Sequence, residues 1–270
     1  MDAALTAWLL YIGTGAFAGA LAGLLGIGGG LVIVPILNIA FHAQALPGDY
    51  IQHLALGTSM ATIVFTSVSS LRSHHKRGAV LWPVFKAITP GILIGSFLGS
   101  KLAALLSTRF LSGFFVVFLY YVAAQMLLNI KPKATREVPG GLGMFGAGSV
   151  IGSVSALVGI GGGTMTVPFL TWCNVAMHSC IGTAAAVGLP IALAASAGFI
   201  LGGQGVALPG LSAGYLGFVY VPAFIGIVAA SVLTAPLGAK LAHSLPVGKL
   251  KKIFACLLIV MASRMLYGMF

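Results

Sequence analysis

Two apolar runs, residues 5–41 and 142–172, are each too long for one simple membrane crossing, and both are interrupted in the same way. A helix crosses the hydrocarbon core of a bilayer in about 20 residues. Gly26-Ile27-Gly28-Gly29-Gly30 breaks the first run and Gly159-Ile160-Gly161-Gly162-Gly163 the second. Glycine costs a helix about 1 kcal/mol relative to alanine, so three in succession predict a break rather than a continuous rod. Unwound backbone at membrane depth survives only where protein or a wet cavity satisfies its amides. The competing reading is close packing, because glycine lets helices approach in lipid. A break that occurs twice, followed both times by Val-Pro, favours an unwound site.

The composition places these runs in a membrane. Hydrophobic residues make up 59 % of the chain and charged residues 6 %, with a mean hydropathy of +1.08. A soluble domain carries about 25 % charged residues. A soluble enzyme or nucleic-acid binder is excluded, and at 270 residues there is room for about eight to ten crossings. The net charge of +11 is read as loop Lys and Arg that orient the helices, not as a nucleic-acid footprint. The start Met1-Asp2-Ala3-Ala4 lacks a basic signal-type beginning, so the first run is expected to be retained. Cys173, Cys180 and Cys256 have no metal-type spacing, and no H-E-x-x-H, paired carboxylate or G-x-S-x-G pattern occurs. Neither catalysis, nor a metal, nor a cofactor is expected.

The halves repeat. Residues 26–35 and 159–168 are identical at seven of ten positions. Downstream, His53-Leu-Ala-Leu-Gly57-Thr58 matches His178-Ser-Cys-Ile-Gly182-Thr183, and Gly99-Ser-Lys101-Leu102-Ala103 matches Gly238-Ala-Lys240-Leu241-Ala242. An ordered series of this kind points to duplication. The expected organisation is a first transmembrane repeat at 1–130, a polar linker at 131–141 and a second transmembrane repeat at 142–270. Further apolar segments run at 50–71, 79–106 and 110–130, and at 178–201, 210–242 and 250–270. The fold class expected is all-α and polytopic, each half carrying one glycine-broken segment plus three transmembrane helices.

Basic residues discriminate between layouts. With four crossings per half, the fourteen Lys and Arg divide almost evenly between the two sides. If each broken segment enters and returns on one side, each half crosses an odd number of times and the halves are inverted. Both basic clusters and the linker then share the cytoplasmic side, leaving only Lys101, Arg109 and Arg264 outside. The positive-inside bias favours this inverted layout, a recurrent design of secondary transporters.

The doubled G-x-G-G-G-x-x-x-V-P element, each copy followed by H-x-x-x-G-T, resembles the sulfite exporter TauE/SafE family of bacterial permeases over nearly the whole chain. The resemblance implies transport, most often outward, of small sulfur-containing oxyanions such as sulfite or organosulfonates across the bacterial inner membrane. One departure stands out: Gly57-Thr58-Ser59 has the family's form, whereas the second half reads Gly182-Thr183-Ala184.

An anion needs donors and positive potential without a trapping charge. Helix N-termini supply both, and consecutive glycine amides can form a concave nest. Gly28, Gly29, Gly30, Gly161, Gly162 and Gly163 are therefore the expected lining of the substrate site. Thr58, Ser59 and Thr183 are candidate hydroxyl donors, with bonding to neighbouring backbone as the alternative. His53 and His178, at matching positions, are candidates for proton coupling. The acidic residues Asp2, Asp49 and Glu137 all lie outside the apolar runs, which argues against a cation carrier. The partners expected are the lipid bilayer and a small anion. A permease for another organic anion and a non-transporting membrane scaffold are the alternatives.

Overall fold

The computed structural model describes residues 3–25, 29–128, 136–206, 208, 214–241 and 247–269. Gly28 and residues 131–135 of the linker lie outside them. Ten α-helices are present among the described residues: α1 (Ala3–Leu25), α2 (Gly30–Ala43), α3 (Ile51–Lys76), α4 (Trp82–Leu105), α5 (Thr108–Leu127), α6 (Gly141–Val158), α7 (Gly163–Trp172), α8 (Met177–Gly202), α9 (Val221–Leu241) and α10 (Val247–Tyr267). Seven helices, α1, α3, α4, α5, α6, α8 and α9, are long and apolar enough to cross a bilayer. The protein is a multi-pass α-helical membrane protein.

The two glycine runs do interrupt helices. α2 has 14 residues and α7 has 10, about 21 and 15 Å at 1.5 Å per residue, too short to span a core of about 30 Å. Each folds back along the helix before it. Gly29, at the start of α2, sits against Ala18 and Ala22 of α1. At the far end, Tyr11 Oη donates to Gln44 Oε1 at 2.9 Å and accepts from its Nε2 at 2.8 Å. The second pair closes in the same way, through Arg136 N donating to Trp172 O at 3.3 Å and the Arg136 guanidinium 4.8 Å above the Trp172 ring.

The remaining helices interlock across the linker. Along α4, Gly91, Gly95 and Gly99 come so close to Phe145, Ser149 and Ser153 of α6 that an added methyl group would strike their backbone. Gly148 and Gly152 of α6 meet Ile88 and Ile92 of α4 in return. α1 and α9 pack likewise, through Gly15 on Ile227, Gly19 on Ser231 and Gly238 on Ala20. Small residues at intervals of four let backbones touch where no hydrophobic effect drives helices together. The opposite face of α4 exposes Ile94, Leu98 and Leu102, as expected of a lipid-facing stripe. α3 and α8 cross in the interior, and α5 lies against α10 with Tyr120 Oη 2.8 Å from Ser263 Oγ.

One apolar segment differs from expectation. Residues 210–242 do not form a single helix: a two-residue hairpin, β1 (Tyr215–Leu216) and β2 (Val219–Tyr220), precedes α9. Gly214 and Gly217 take φ of 91° and 56° there, a left-handed backbone that glycine adopts without a Cβ clash. Hydropathy alone does not register that turn.

The α4–α6 contact yields a direct test. Gly95→Leu forces the two backbones apart and is expected to cost at least 1–3 kcal/mol. The readout is a lowered melting temperature or loss of monodisperse protein in detergent. Leu98→Ile, on the lipid face of the same helix, should leave both unchanged.

Candidate functional site

The two helix breaks meet in the protein interior. α6 ends on Gly159 at φ 69°, with Gly159 N donating to Ala156 O at 3.3 Å and Ile160 N to Ser155 O at 3.1 Å. This is a glycine-terminated helix end of the Schellman type. Gly30 abuts the Gly159 carbonyl and Ile160 so tightly that no side chain fits. Ser59 Oγ of α3 donates to the same carbonyl at 2.9 Å, with both groups buried. Gly30 and Ser59 are thus brought together at the junction with Gly159, and Gly29, at φ 73°, begins α2 beside it.

Beyond the junction, α7 starts at Gly163. The amides of Gly161, Gly162 and Gly163 donate to no acceptor among the described residues. The buried hydroxyls of Thr164 and Thr166, on the first two turns of α7, also lack a partner. Gly161 and Gly162 border a small chamber of about 10 Å³, together with Thr66, Ser67 and Ser70 of α3 and Gly188 of α8. A Cβ built on Gly188 would stand 3.7 Å from Ser67 Cβ and 3.8 Å from Gly162 N, in ordinary van der Waals contact. The absence of a side chain at 188 therefore leaves this space open. Gly162 itself is packed against Val187 and Ile191.

Thr58 and Thr183 are engaged elsewhere, and in matching ways. Thr58 Oγ1 accepts from Tyr220 N at 2.9 Å, just before α9, and Thr183 Oγ1 accepts from Leu81 N at 3.0 Å, just before α4. The preceding glycines permit the approach: Gly57 rests on the Phe218 carbonyl and Gly182 on that of Ala79. Each Gly-Thr pair thus receives the segment entering a helix from the other half of the chain.

The two histidines share a sequence register but not an environment. His178 is exposed at the start of α8. His53 is buried, with Nε2 3.1 Å from Ala103 O and 3.0 Å from Leu106 O. Carbonyls only accept, so Nε2 carries a proton. Nδ1 lies 3.3 Å from Thr108 Oγ1, which itself donates to Asp49 O.

His53 also borders a cavity of about 970 Å³ at the end of the molecule away from the chamber. Asn38 and His42 of α2, Thr108 and Arg109 of α5 and Arg264 of α10 contribute polar groups to its wall. Asn38 Nδ2 donates to buried Gln52 Oε1 at 2.8 Å beside it. Between cavity and chamber, Leu54, Leu56 and Met60 of α3 are fully buried.

The sequence reading did not single out Thr66, Ser67, Ser70, Gly188 or Asn38. A signal was present for two of them, Thr66 and Ser70. Ser59, Thr62, Thr66 and Ser70 recur at helical spacing and place a hydroxyl stripe on one face of an apolar helix. Gly188 carried no such signal, since its role depends on what α8 faces.

Ten interlocked helices, with two helix breaks meeting in the interior, define a polytopic membrane protein built around a polar, non-helical centre. A family model described as sulfite exporter TauE/SafE matches residues 11–265, and the chain belongs to that family. It is 39 % identical over 259 residues to a probable membrane transporter protein of Haemophilus influenzae, covering 95 % of this chain and 97 % of that one. A probable membrane transporter protein of Methanocaldococcus jannaschii is 27 % identical over 237 residues, covering 84 % and 81 %. The probable membrane transporter protein YdhB of Bacillus subtilis is 27 % identical over 199 residues, covering 68 % and 76 %. No solved structure matches the chain.

The Gly-Thr contacts are open to measurement. Thr58→Val and Thr183→Val each leave a backbone N–H unpaired and should each lower unfolding stability by about 1–3 kcal/mol. Thr62→Val, whose hydroxyl bonds carbonyls of its own helix, should have a smaller effect. Denaturant titration of the purified protein in detergent compares the three.

Proposed function

We propose that the protein is a secondary transporter that exports small sulfur-containing oxyanions, such as sulfite or an organosulfonate, across the bacterial inner membrane. The observation that carries this reading is the chamber at the start of α7. There Gly161 and Gly162, whose amides donate to no acceptor among the described residues, adjoin the hydroxyl-bearing residues Thr66, Ser67 and Ser70, with no carboxylate on the described wall. Unpaired N–H groups at a helix N-terminus carry partial positive charge and favour an anion. In this reading Gly29, Gly30 and Ser59 form the inner boundary of the site. Thr58 and Thr183 hold the helices around it.

At about 10 Å³ the chamber has room for one water-sized group. An oxyanion enters only when α7 and α8 part, so the closed chamber is one state of a moving site. The large cavity at the opposite end fits a molecule that opens to its two sides in turn.

We read the halves, 1–130 and 142–270 joined by the linker 131–141, as inverted repeats. Three observations support this. Each half begins with a folded-back helix pair and continues with three further helices. The pairs reach the shared junction, and their open ends are closed by Tyr11–Gln44 in one half and Arg136–Trp172 in the other. An odd number of further crossings per half places the second half upside down, which is the layout that gathers the basic clusters on one side.

For proton coupling, His53 is the better placed histidine. Nε2 faces two carbonyls and Nδ1 faces a hydroxyl whose own proton is directed to Asp49 O. Both ring nitrogens thus have hydrogen-bond partners, which fix the orientation of the ring and give a proton a place on either side of it. His178 has no such setting.

Gly188→Ala is the discriminating variant, because its methyl group fills the chamber without a clash. Proteoliposomes loaded with sulfite, taurine or thiosulfate should release one of these anions with wild-type protein. Gly188→Ala should lower that efflux at least tenfold while leaving the melting temperature unchanged. Wild-type efflux with an equally active Gly188→Ala removes the chamber as the site. No flux of any of these anions removes the sulfur-oxyanion reading.

A further inference from the structure

The cavity of about 970 Å³ between α2, α3, α5 and α10 lies apart from the chamber and brings together an unusual set of groups for this chain. Arg109 and Arg264 both border it, and neither guanidinium makes a hydrogen bond or ion pair with any of the described residues. They are two of the three basic residues that the inverted layout leaves off the Lys/Arg-rich side, where helix orientation gives no reason for them. Lys101 is the third, and it does not border the cavity.

The two arginines stand at different depths. Tyr120 of α5 bonds Ser263 of α10, and Gly113 faces Met269, so the two helices run antiparallel. Arg264 therefore lies level with the region of Tyr120, while Arg109 is in the first turn of α5. Eleven residues of helix separate Arg109 from Tyr120, roughly 16 Å. One cation marks the rim and the other stands further in. Asn38, His53 and Ser112 are the buried polar residues on the wall, and His42 donates Nδ1–H to Asn38 O at 2.8 Å. Among the described residues Asp49 is the one side-chain carboxylate that borders the cavity, and it forms no ion pair with either arginine.

We infer that this cavity is an anion-capture vestibule, in which Arg109 and Arg264 raise the local concentration of small oxyanions ahead of their entry into the protein. Its size decides how it works. A water molecule occupies about 30 Å³ of liquid, so the vestibule holds roughly thirty waters and cannot grip a bare four- or five-atom anion by fit. What it does have is fixed positive charge within a recess walled partly by Ile39, Leu105, Leu106 and Met265. Two arginines against the single described carboxylate Asp49 leave the wall net positive, and charge focused by low-dielectric walls concentrates the opposite ion by about tenfold. The inference deepens the transport reading by naming where anions are gathered, but it stands on residues outside the chamber and its test requires no flux.

The test uses Ala43, an exposed residue on the cavity wall at the end of α2. A43C is made in a C256A background, because Cys256 is exposed whereas Cys173 and Cys180 are buried. The full-length protein is placed in nanodiscs of zwitterionic lipid and its thiol is modified by an anionic methanethiosulfonate, the ethylsulfonate, and by a cationic one, the ethyltrimethylammonium. Rates are normalised to those of a free thiol in solution. The anionic reagent should be favoured about tenfold, and R109Q/R264Q should bring the ratio close to one. R109K/R264K, which keeps both charges, should retain most of the preference, and high ionic strength should erase it. A ratio near one with both arginines present overturns the inference, as does a preference that survives R109Q/R264Q or an A43C thiol that neither reagent reaches. If the preference is found but Gly188→Ala transports normally, the chamber fails and the vestibule stands.

Discussion

A helix that stops inside a bilayer leaves amides and carbonyls that lipid cannot satisfy. Most of this structure is organised around two such stops. At the end of α6 the problem is solved locally: Gly159 turns left-handed, its amide and that of Ile160 bond back to the last turn, and its carbonyl takes the Ser59 hydroxyl. At the start of α7 it is not solved: the amides of Gly161 to Gly163 have no acceptor among the described residues, and Gly161 and Gly162 border a small chamber. The same glycine run thus terminates one helix with its groups paired and begins the next with donors to spare. That difference separates a break whose groups are paired from one that keeps unpaired donors.

Holding two breaks together requires close backbone contact, and glycine supplies it throughout. Gly30 on Gly159, Gly57 on Phe218, Gly182 on Ala79, and the four-residue spacing of Gly91, Gly95 and Gly99 are all contacts where a Cβ would collide with backbone. None of them is a favourable interaction by itself. Each removes an obstacle, so that dispersion and hydrogen bonds such as Tyr220 N to Thr58 Oγ1 act at short range. The contacts also cross the linker: α4 packs on α6 and α8, α1 on α9, and α3 on both α8 and α9. Neither half could bury its glycine faces alone, so the two halves form one body.

Much of this was legible in the amino-acid sequence, because its strongest signals are local. Apolar length and the scarcity of charge define the membrane-spanning elements. Repeated glycine triplets mark the helix breaks, and both expected interruptions are present. The H-x-x-x-G-T pattern was visible as a repeat, but not its purpose. Thr58 and Thr183 read equally well as substrate donors or as backbone acceptors until the segments before α9 and α4 are seen lying on them. Gly188 and the β1–β2 turn were illegible for a related reason. What a glycine makes room for is decided by an element distant in sequence.

The departure of Ala184 from Ser59 shows how far sequence symmetry carries. Ser59 spends its hydroxyl on the carbonyl at the end of α6 and so ties the first half to the break in the second. Alanine at the matching position has nothing to donate, and the Ala184 carbonyl instead lies beside Gly162 near the chamber. His53 and His178 diverge in the same sense, one buried against two carbonyls and the other exposed. Two copies of one motif therefore serve a single centre unequally. One fastens the junction and the other leaves the donors of α7 uncovered. The inequality follows from the side chains themselves, because Ser59 supplies the one hydroxyl that pairs the junction carbonyl and Ala184 has none to offer the amides at the start of α7.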